Sequence, residues 1–401
     1  MNKRWLKCGV IMVIIGVIGF IFIRMATFDT DLQPELTYQL PEFASFDGLS
    51  DINYGQWAVT IDGQPVASHN NTSEPTQPTA STIKMILALA VMREKPFNLG
   101  ESGETITINQ EFYDIYNWYA THNGSNSAVE IGEQIDEYDA LASVLLVSSN
   151  NMADTLAIWA FGSLDNYRDY ASQMLQEWGI TNTTIGTDAS GYDPSTTSSA
   201  SDLAKIGHKL LENPVLAQIV GLRSHAVPVV GTLTNSNGLL GQHGIIGIKT
   251  GFIGEESGYC LITGYQEGEH IITTALLGAP DRATSFSDSD ELVVATQTAA
   301  PLATLVTAGQ TVGYYHPWWS EAIPITSDDD FIELGYATNN TSVNLSIPIN
   351  SAEVTSDTKA TGALALKFDD NTYNAPISTP DFATKPSLLQ RFLHDFGWHA
   401  N

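Results

Sequence analysis

The sequence predicts a mixed α/β fold of the α+β type, in which an antiparallel sheet is flanked by helices and a small β-rich domain follows. Residues 100–215 have mainly helical patterns, and from residue 244 the apolar spacing changes to that of β-strands. Residues 301–380 contain short strand-like runs punctuated by Thr, Asn and Pro, which indicates a separate β domain.

The strands of the main sheet are predicted from one hairpin and three later runs. Gln56–Ile61 and Gln64–Ser68 flank Asp62-Gly63, a dipeptide typical of tight turns. The three later runs are separated by turns rich in Gly and Glu, and they are Gly244–Phe252, Tyr259–Tyr265 and His270–Leu277. Together these segments predict about five strands with antiparallel connections.

The helices are predicted from apolar periodicity. Ser81–Met92 reads as a mostly buried helix, and Ser199–Leu211 reads as an amphipathic one. Leu141–Val147 and Met152–Phe161 are two further apolar segments, and the polar stretch Ser148–Asn151 lies between them.

The N-terminus carries a targeting signal. Residues 1–7 are basic, and Cys8–Ile23 is a 16-residue run without a charged side chain. Because Arg24 stands where a small residue would precede a cleavage site, we expect an uncleaved signal anchor over residues 1–26. The basic end then stays inside, which predicts a single-pass membrane protein with its body outside the cytoplasm, or a secreted one if the segment is cleaved.

The remaining chain of this 401-residue protein divides by composition. We expect a polar linker over residues 27–50, the main domain over residues 51–300 and the small β-rich domain over residues 301–380. Leu388–Phe396 predicts a short amphipathic helix within a terminal segment, residues 381–401.

Charge and composition exclude several classes of protein. The 45 acidic and 17 basic residues give a formal net charge of −28, which argues against nucleic acid as a partner. The only cysteines are Cys8 and Cys260, so a disulfide framework and a Cys-rich zinc site are excluded. The nine histidines form no H-E-x-x-H pattern, and we expect neither a metal nor a cofactor.

The first motif with chemical meaning is Ser81-Thr-Ile-Lys84, at the start of the apolar helix. Positions i and i+3 share a helix face, so the lysine amine can reach the serine hydroxyl. A serine needs a base to become a good nucleophile, and burial lowers the pKa of a lysine toward that role. A capping serine with a solvated lysine is the alternative, and Ser356–Lys359 is a second match in the β-like tail.

Two further motifs follow in order. Ser148-Ser-Asn150 lies in the break between two helical segments, where an ordinary interhelical turn is the alternative. Lys249-Thr250-Gly251 ends a β run and offers a cation, a hydroxyl and a close approach to the strand. An exposed strand end is the alternative interpretation of this tripeptide.

The three motifs together resemble the active-site set of the penicillin-binding acyl-serine enzymes, in particular the low-molecular-mass D-alanyl-D-alanine carboxypeptidases. The resemblance covers about residues 55–300 and implies the penicillin-binding/β-lactamase-like fold with a helical subdomain. The supporting segments are Pro78–Lys84, Leu146–Ala153 (with Asn151 where the family usually has Asp), Asp188–Asp193, Ser199–Ala204, Asn235–Leu240 and Gly247–Gly251.

The resemblance implies catalytic roles for the residues of the first two motifs. Ser81 would be the acylated nucleophile and Lys84 its general base. Ser148 would relay a proton to the leaving amine and later from water. Asn150 would hydrogen-bond the substrate amide.

The resemblance also implies substrate-binding residues around the third motif. Lys249 would lower the pKa of Lys84 by its positive potential and attract the terminal carboxylate of the substrate, which Thr250 would bind. Gly251 would let the substrate approach the strand.

Two positions depart from the family pattern. Ser236 stands where some members have an arginine that helps to bind the substrate carboxylate, so this departure affects affinity rather than the chemistry. Phe252 stands where a histidine is frequent, but the predicted oxyanion hole uses only the backbone N–H groups of Ser81 and Phe252.

The expected function is therefore a serine D-Ala-D-Ala carboxypeptidase that acts on peptidoglycan stem peptides and is inhibited covalently by penicillins. A β-lactamase is the first alternative, although no Glu occurs between Trp178 and Leu211 to activate a deacylating water. An endopeptidase or transpeptidase on the same fold, and a non-catalytic wall-binding protein, are the others.

Overall fold

The structure is a computed structural model in which contacts divide the chain into two units. One unit is Phe43–Pro301, and the other joins residues up to Glu42 with those from Leu302 onward. The division of the chain into five segments stays a prediction. The described residues are 32–44, 46, 51–337, 340–349, 359–368, 371–382, 387 and 390, with isolated positions between 12 and 19.

The larger unit contains eight α-helices within the described part of the chain. They are α1 (Lys84–Glu94), α2 (Gln110–Thr121), α3 (Glu137–Leu146), α4 (Asn150–Phe161), α5 (Leu164–Glu177), α6 (Ala200–Glu212), α7 (Pro214–Gly221) and α8 (Arg282–Ala299). Short 3₁₀ helices occupy Ala80–Ile83 and Gln242–Gly244.

Strands of both units are numbered together in chain order. They are β1 (Glu35–Leu36), β2 (Gln56–Ile61), β3 (Gln64–Asn70), β4 (Gln77–Pro78), β5 (Thr105–Thr107), β6 (Gln134–Asp136), β7 (Thr197–Ser198), β8 (Ser224–Val227), β9 (Gly231–Thr234), β10 (Gly247–Gly251), β11 (Tyr259–Glu267), β12 (His270–Ala279), β13 (Leu302–Val306), β14 (Thr311–Tyr315), β15 (Ile323–Ser327), β16 (Phe331–Leu334), β17 (Thr341–Ser346), β18 (Thr361–Phe368) and β19 (Asn371–Ser378).

The main sheet has five antiparallel strands in the order β10-β11-β12-β2-β3, which confirms the predicted fold class. The hairpin β2–β3 therefore forms one edge and the strand that ends in Gly251 forms the other. All six residues of β2 are buried, as expected for a strand covered on both faces. Helix α6 packs on β2 and β12, and α8 packs on β11 and β12.

Helix α1 is buried almost throughout because it packs among other helices rather than on the surface. Nine of its eleven residues are buried, and it contacts α3, α4, α5 and α6. This arrangement explains an apolar helix with a single lysine on its first turn. The loss of water around that lysine follows directly from the packing.

Two elements near the sheet were not predicted. Helix α8 has alternating Ser, Asp and Thr residues instead of a clear apolar stripe, so its periodicity is weak. The short hairpin β8–β9 contains polar residues between two helices and a β run, and it was not recognised either. Both elements lead to residues of the candidate site.

The C-terminal unit is built on a six-stranded antiparallel sheet in the order β1-β14-β15-β19-β18-β17. Glu35 and Leu36, within the segment predicted as a linker, form the edge strand β1 opposite Tyr314 and Gly313. Strands β13 and β16 form a separate pair.

Both chain ends were assigned helices from the sequence. The predicted signal anchor over residues 1–26 and the predicted helix Leu388–Phe396 lie almost wholly outside the described residues. In the part of the chain that the structure does describe, no helix combines the length and the apolar character needed to cross a bilayer.

Candidate active site

Ser81 lies in the single 3₁₀ turn Ala80–Ile83, which runs directly into α1. Ala80 has φ +49°, a left-handed conformation that is strained for a residue with a side chain. Such strain is commonly stored beside functional groups. Ser81 itself is half-buried and lines a cavity of about 260 Å³.

The side chain of Lys84 is fully buried and donates to three oxygen atoms. Its Nζ lies 2.8 Å from Oγ of Ser81, 2.7 Å from Oδ1 of Asn150 and 2.6 Å from the carbonyl oxygen of Ser190. Three acceptors match the three N–H bonds of an ammonium group. The first and second sequence motifs therefore meet at one lysine.

Burial lowers the pKa of Lys84 to about 7, although the negative charges of Asp188 and Asp154 oppose this shift. The sequence predicted burial as one cause of the lowered pKa, and the resemblance added the positive charge of Lys249 as another. In the structure, burial is the cause of the shift at Lys84. Burial also lowers the pKa of Lys249 well below its usual value, and the charge of Lys84 lowers it further.

Asn150 is the first residue of α4, and its backbone N–H donates to the carbonyl of Ser125 at 2.7 Å. The next residue, Asn151, accepts from the N–H of Ser127 and donates to its carbonyl, at 2.9 and 3.0 Å. An aspartate could make only the first of these bonds. Asn151 therefore holds the 125–127 loop beside the site.

Ser148 lies in the break between α3 and α4 with φ +63°, a conformation that L-residues rarely adopt. Its Oγ is buried and has no hydrogen-bond partner, and the residue lines the same cavity as Ser81. Ser148 therefore offers a hydroxyl without a protein partner on a residue that borders the cavity.

The third motif lies on the edge strand β10 of the main sheet. Thr250 lines the cavity, and its Oγ1 is 2.8 Å from Oγ of Ser236. Lys249 faces the interior, and its Nζ donates to the carbonyl of Thr250 at 2.9 Å. The two neighbouring side chains thus point in different directions, as alternation along a strand requires.

Gly251 brings the end of β10 against the turn that carries Ser81. A Cβ atom at this position would lie 2.9 Å from the carbonyl oxygen of Thr79 and 3.1 Å from the amide nitrogen of Thr82. The next residue, Phe252, lines the cavity and stacks on Tyr259, with ring centroids 4.0 Å apart. The glycine thus allows the strand to approach the turn.

Arg282 is a residue of this cavity that the sequence analysis missed. It begins α8, and its Nη2 donates to the carbonyl of Ser236 at 3.1 Å while its guanidinium lies over the ring of Phe286. A guanidinium therefore lies beside Ser236, where the sequence lacks the arginine of some family members. The sequence could have indicated Arg282 only if the start of α8, directly after β12, had been recognised.

The loop from Asp188 to Asp193 folds around its first side chain. The carboxylate of Asp188 accepts from the backbone N–H groups of Ser190, Gly191 and Asp193, at 2.9, 2.5 and 2.7 Å. These bonds aim the Ser190 carbonyl at Lys84. Gly191 has φ +69°, and a Cβ there would lie only 2.2 Å from the carbonyl oxygen of Ala80.

All nine predicted site residues lie in one region of the larger unit. Six of them line the cavity, namely Ser81, Ser148, Ser236, Thr250, Gly251 and Phe252. Lys84 bonds to Ser81. Asn150 bonds to Lys84, and Lys249 bonds to Thr250. Within the described residues, no group of three His, Cys, Asp or Glu side chains could hold a metal ion.

A family model for peptidase S11, described as D-alanyl-D-alanine carboxypeptidase, matches residues 56–281, more than half of the chain. The chain belongs to this family. Two curated relatives agree with this assignment. The chain is 25% identical over 255 residues to the D-alanyl-D-alanine carboxypeptidase DacF of Bacillus subtilis, and the match covers 61% of this chain and 63% of the relative.

The second relative is the D-alanyl-D-alanine carboxypeptidase DacC of Escherichia coli, at 24% identity over 57% of each chain. The matched segments thus span less than two thirds of these carboxypeptidases. Among solved structures, D-alanyl-D-alanine carboxypeptidase from Mycobacterium tuberculosis is similar with a TM-score of 0.53 and 25% identity, over 68% of this chain and 97% of that one.

The Streptomyces K15 DD-transpeptidase has the same fold, with a TM-score of 0.53, 20% identity, and coverage of 64% of this chain and 98% of that one. At this identity the likeness supports the fold alone. The residues matched by the family model, 56–281, all lie in the larger unit.

Proposed function

We propose that this protein is a serine-type D-Ala-D-Ala carboxypeptidase that removes the terminal D-alanine from peptidoglycan stem peptides through an acyl-enzyme on Ser81. One observation carries the proposal. A fully buried lysine, Lys84, with a pKa of about 7, lies at hydrogen-bond distance from the hydroxyl of Ser81. A neutral amine in this position can take the serine proton at neutral pH.

In the first step, the Oγ of Ser81 attacks the carbonyl carbon of the scissile peptide bond while its proton passes to Lys84. The negative oxygen that develops is bound by the backbone N–H groups of Ser81 and Phe252. Both residues line the cavity, which supports this role. The amide of the substrate is held by Asn150.

The terminal D-alanine leaves as an amine and needs a proton. We propose that Ser148 relays to this amine the proton that Lys84 took from Ser81, because Ser148 lines the same cavity as Ser81 and its hydroxyl has no hydrogen-bond partner. In the second step, water attacks the acyl-enzyme and the same groups act in reverse. Hydrolysis then regenerates the hydroxyl of Ser81.

The carboxylate of the terminal D-alanine requires a cationic or hydroxyl-rich site. Thr250 and Ser236 supply two hydroxyl groups that are 2.8 Å apart, and Arg282 supplies a guanidinium at the same cavity. An arginine and a hydroxyl bind a carboxylate by charge-assisted hydrogen bonds. The buried amine of Lys249 adds a further donor behind Thr250. These groups would favour substrates with a free C-terminus.

The hydrogen bonds of Asp188 and Asp202, two carboxylates between the second and third motifs, disfavour the β-lactamase alternative. Asp188 accepts three backbone amides of its own loop, and Asp202 accepts from the N–H of Asn182 and the hydroxyl of Thr183. Carboxylates engaged in this way are poorly placed to activate a deacylating water. We therefore propose that a penicillin acylates Ser81 and is released slowly.

We also propose that the protein is held at the cell membrane by the N-terminal segment, residues 1–26, and that the site faces the cell wall. The acidic body and the basic N-terminus support this orientation. The extracytoplasmic location is also where a peptidoglycan substrate would be met.

The full-length chain should release free D-alanine from a peptide that ends in D-Ala-D-Ala. Ser81→Ala should abolish this release, whereas Ser356→Ala, in the second S-x-x-K match, should leave it unchanged. Rapid penicillin turnover without release of D-alanine would instead favour a β-lactamase.

A further inference from the structure

A second and larger cavity, of about 450 Å³, opens between α2 and the loop of residues 187–194. Three aromatic residues line it. Tyr192 meets Trp118 and Tyr119 edge to face, with ring centroids 5.7 and 5.6 Å apart. Trp118 remains 47% exposed although it is a large apolar residue. We call this space the aromatic cavity.

The lining of the aromatic cavity is also acidic. Asp154, Asp188 and Asp193 line it, and among its described lining residues there is no Lys, Arg or His. Asp154 is buried, and its carboxylate accepts from the hydroxyl of Tyr119 at 2.7 Å and from the N–H of Ala189 at 3.0 Å. Three carboxylates with no cationic side chain among the described lining residues favour a cation in the cavity, although the charge of Lys84 also acts on Asp154.

The aromatic cavity is separated from the catalytic lysine by one residue. The carbonyl of Ser190 accepts from Lys84, and the hydroxyl of the same serine is 3.1 Å from the hydroxyl of Tyr119. The groups that line the aromatic cavity therefore lie on the side of the site formed by α2 and the 187–194 loop. The carboxylate-binding groups Thr250 and Arg282 line the other cavity.

On the basis of the proposed function, we propose that the aromatic cavity binds the ammonium group of an amine-bearing side chain in the acyl part of the peptide substrate. Aromatic faces combined with carboxylates are the chemistry that recognises an ammonium ion. Since the leaving D-alanine occupies the side of Thr250 and Arg282, the acyl part extends toward α2. The cavity would thus select peptides with a free amine upstream of the scissile bond.

Bound cations would also act on catalysis from this position. The charges of Asp154 and Asp188 raise the pKa of Lys84, and an ammonium group beside them would offset that effect. A substrate with a free amine should therefore favour the neutral, basic form of Lys84.

Binding is tested separately from catalysis with the full-length Ser81→Ala protein. Calorimetry compares Nα-acetyl-L-lysyl-D-alanyl-D-alanine with the same peptide acetylated on its side-chain amine. We expect the peptide with the free amine to bind roughly tenfold more tightly. Equal affinities, or no measurable binding of either peptide, would overturn the proposal.

Two variants test whether the difference in affinity between the two peptides arises in the aromatic cavity. Trp118→Leu and Asp193→Asn should each remove most of the preference for the free amine, whereas the exposed Asp114→Asn on α2 should keep it. A preference that survives both cavity variants would place the amine elsewhere. An N-acetylglucosamine oligomer is the other probe, and binding of this sugar that Trp118→Leu abolishes, without any amine preference, would also overturn the proposal.

Release of D-alanine from both peptides is then measured with the wild-type protein. This measurement separates the proposed carboxypeptidase function from the assignment of the aromatic cavity. If neither peptide is hydrolysed but the amine preference persists and depends on Trp118, the proposed function fails and the cavity assignment stands. If both are hydrolysed at equal kcat/KM and bind equally, only the cavity assignment fails.

Discussion

The Nζ of Lys84 lies 2.8 Å from the Oγ of Ser81, across the junction between a 3₁₀ turn and the first residue of α1. The same nitrogen has two further acceptors, from α4 and from the loop around Asp188. The lysine therefore does more than contact the serine. It joins its own turn to two segments that lie 66 and 106 residues further along the chain.

Lys84→Met should abolish acylation by a labelled penicillin. Because methionine has a similar length and no charge, the buried site should tolerate it and the protein should fold. Loss of a general base typically lowers a rate by about 10²-fold to 10⁴-fold. Stopped-flow or gel-based labelling measures the acylation rate constant. Lys205→Met, on α6, is the control, and a Lys84→Met rate within threefold of the wild type would contradict the role of the base.

The acylation rate should rise with pH around neutrality. The reactive form of Lys84 is the neutral amine, and with a pKa of about 7 its population grows as pH rises through that value. The rate constant should therefore increase from about pH 6 to about pH 8 and then level off. A rate that falls over this interval would exclude a neutral lysine as the base.

Asp154→Asn should move this pH profile to lower pH. The negative charge of Asp154 raises the pKa of Lys84, so its removal lowers that pKa. Asparagine can still bond to Tyr119 and Ala189, which preserves the local geometry. The midpoint of the acylation profile is the measurement, with Asp114→Asn as the control. An unchanged midpoint, or one shifted to higher pH, would show that Asp154 does not act on Lys84.

The sequence predicted the chemistry of the site better than its surroundings. Ser81 and Lys84 share one helix face by spacing alone, so their contact follows from local geometry. The contact between Lys84 and Asn150 depends on how α1 packs against α4. The resemblance implied that both residues belong to one site, but the spacing of residues in the sequence cannot predict this packing. The apolar helix predicted the burial that lowers the pKa of Lys84, whereas the contribution that the resemblance assigned to Lys249 is not among the causes of that shift.

Other features depend on tertiary structure and left no sequence signal. Arg282 reaches the cavity only because β12 is followed by a helix whose weak periodicity hid it. The aromatic cavity needs Trp118 on α2 and Tyr192, 74 residues later, to meet. The left-handed backbone of Ala80 is likewise set by the approach of Gly191 and the turn, since alanine gives no local preference for it.

Gly191→Ala should disrupt acylation while the matched Gly179→Ala does not. Both glycines have φ +69°, so alanine is strained at each, by about 1 kcal/mol. Only at Gly191 would the new Cβ also meet the backbone beside Ser81, whereas Gly179 has nothing within 4 Å. Penicillin labelling and thermal unfolding distinguish the effects. Equal loss of labelling in both variants would show that the close approach at Gly191 is unimportant.

Arg282→Ala should raise KM for a D-Ala-D-Ala peptide by roughly tenfold or more, with a smaller change in kcat. A charge-assisted bond to a carboxylate is worth about 1.5–3 kcal/mol, and it forms in the bound ground state as well as in the transition state. Arg282→Lys should recover part of the affinity. Arg168→Ala, at a surface ion pair with Asp165, is the control. An unchanged KM would leave Thr250 and Ser236 as the carboxylate site.

The most direct test of the central claim is to identify the acylated residue. The full-length protein is incubated with a labelled penicillin, digested, and examined by mass spectrometry. The proposed mechanism predicts a single adduct on the peptide that contains Ser81, and none in Ser81→Ala. An adduct on Ser148 or Ser356, or labelling that survives Ser81→Ala, would contradict it.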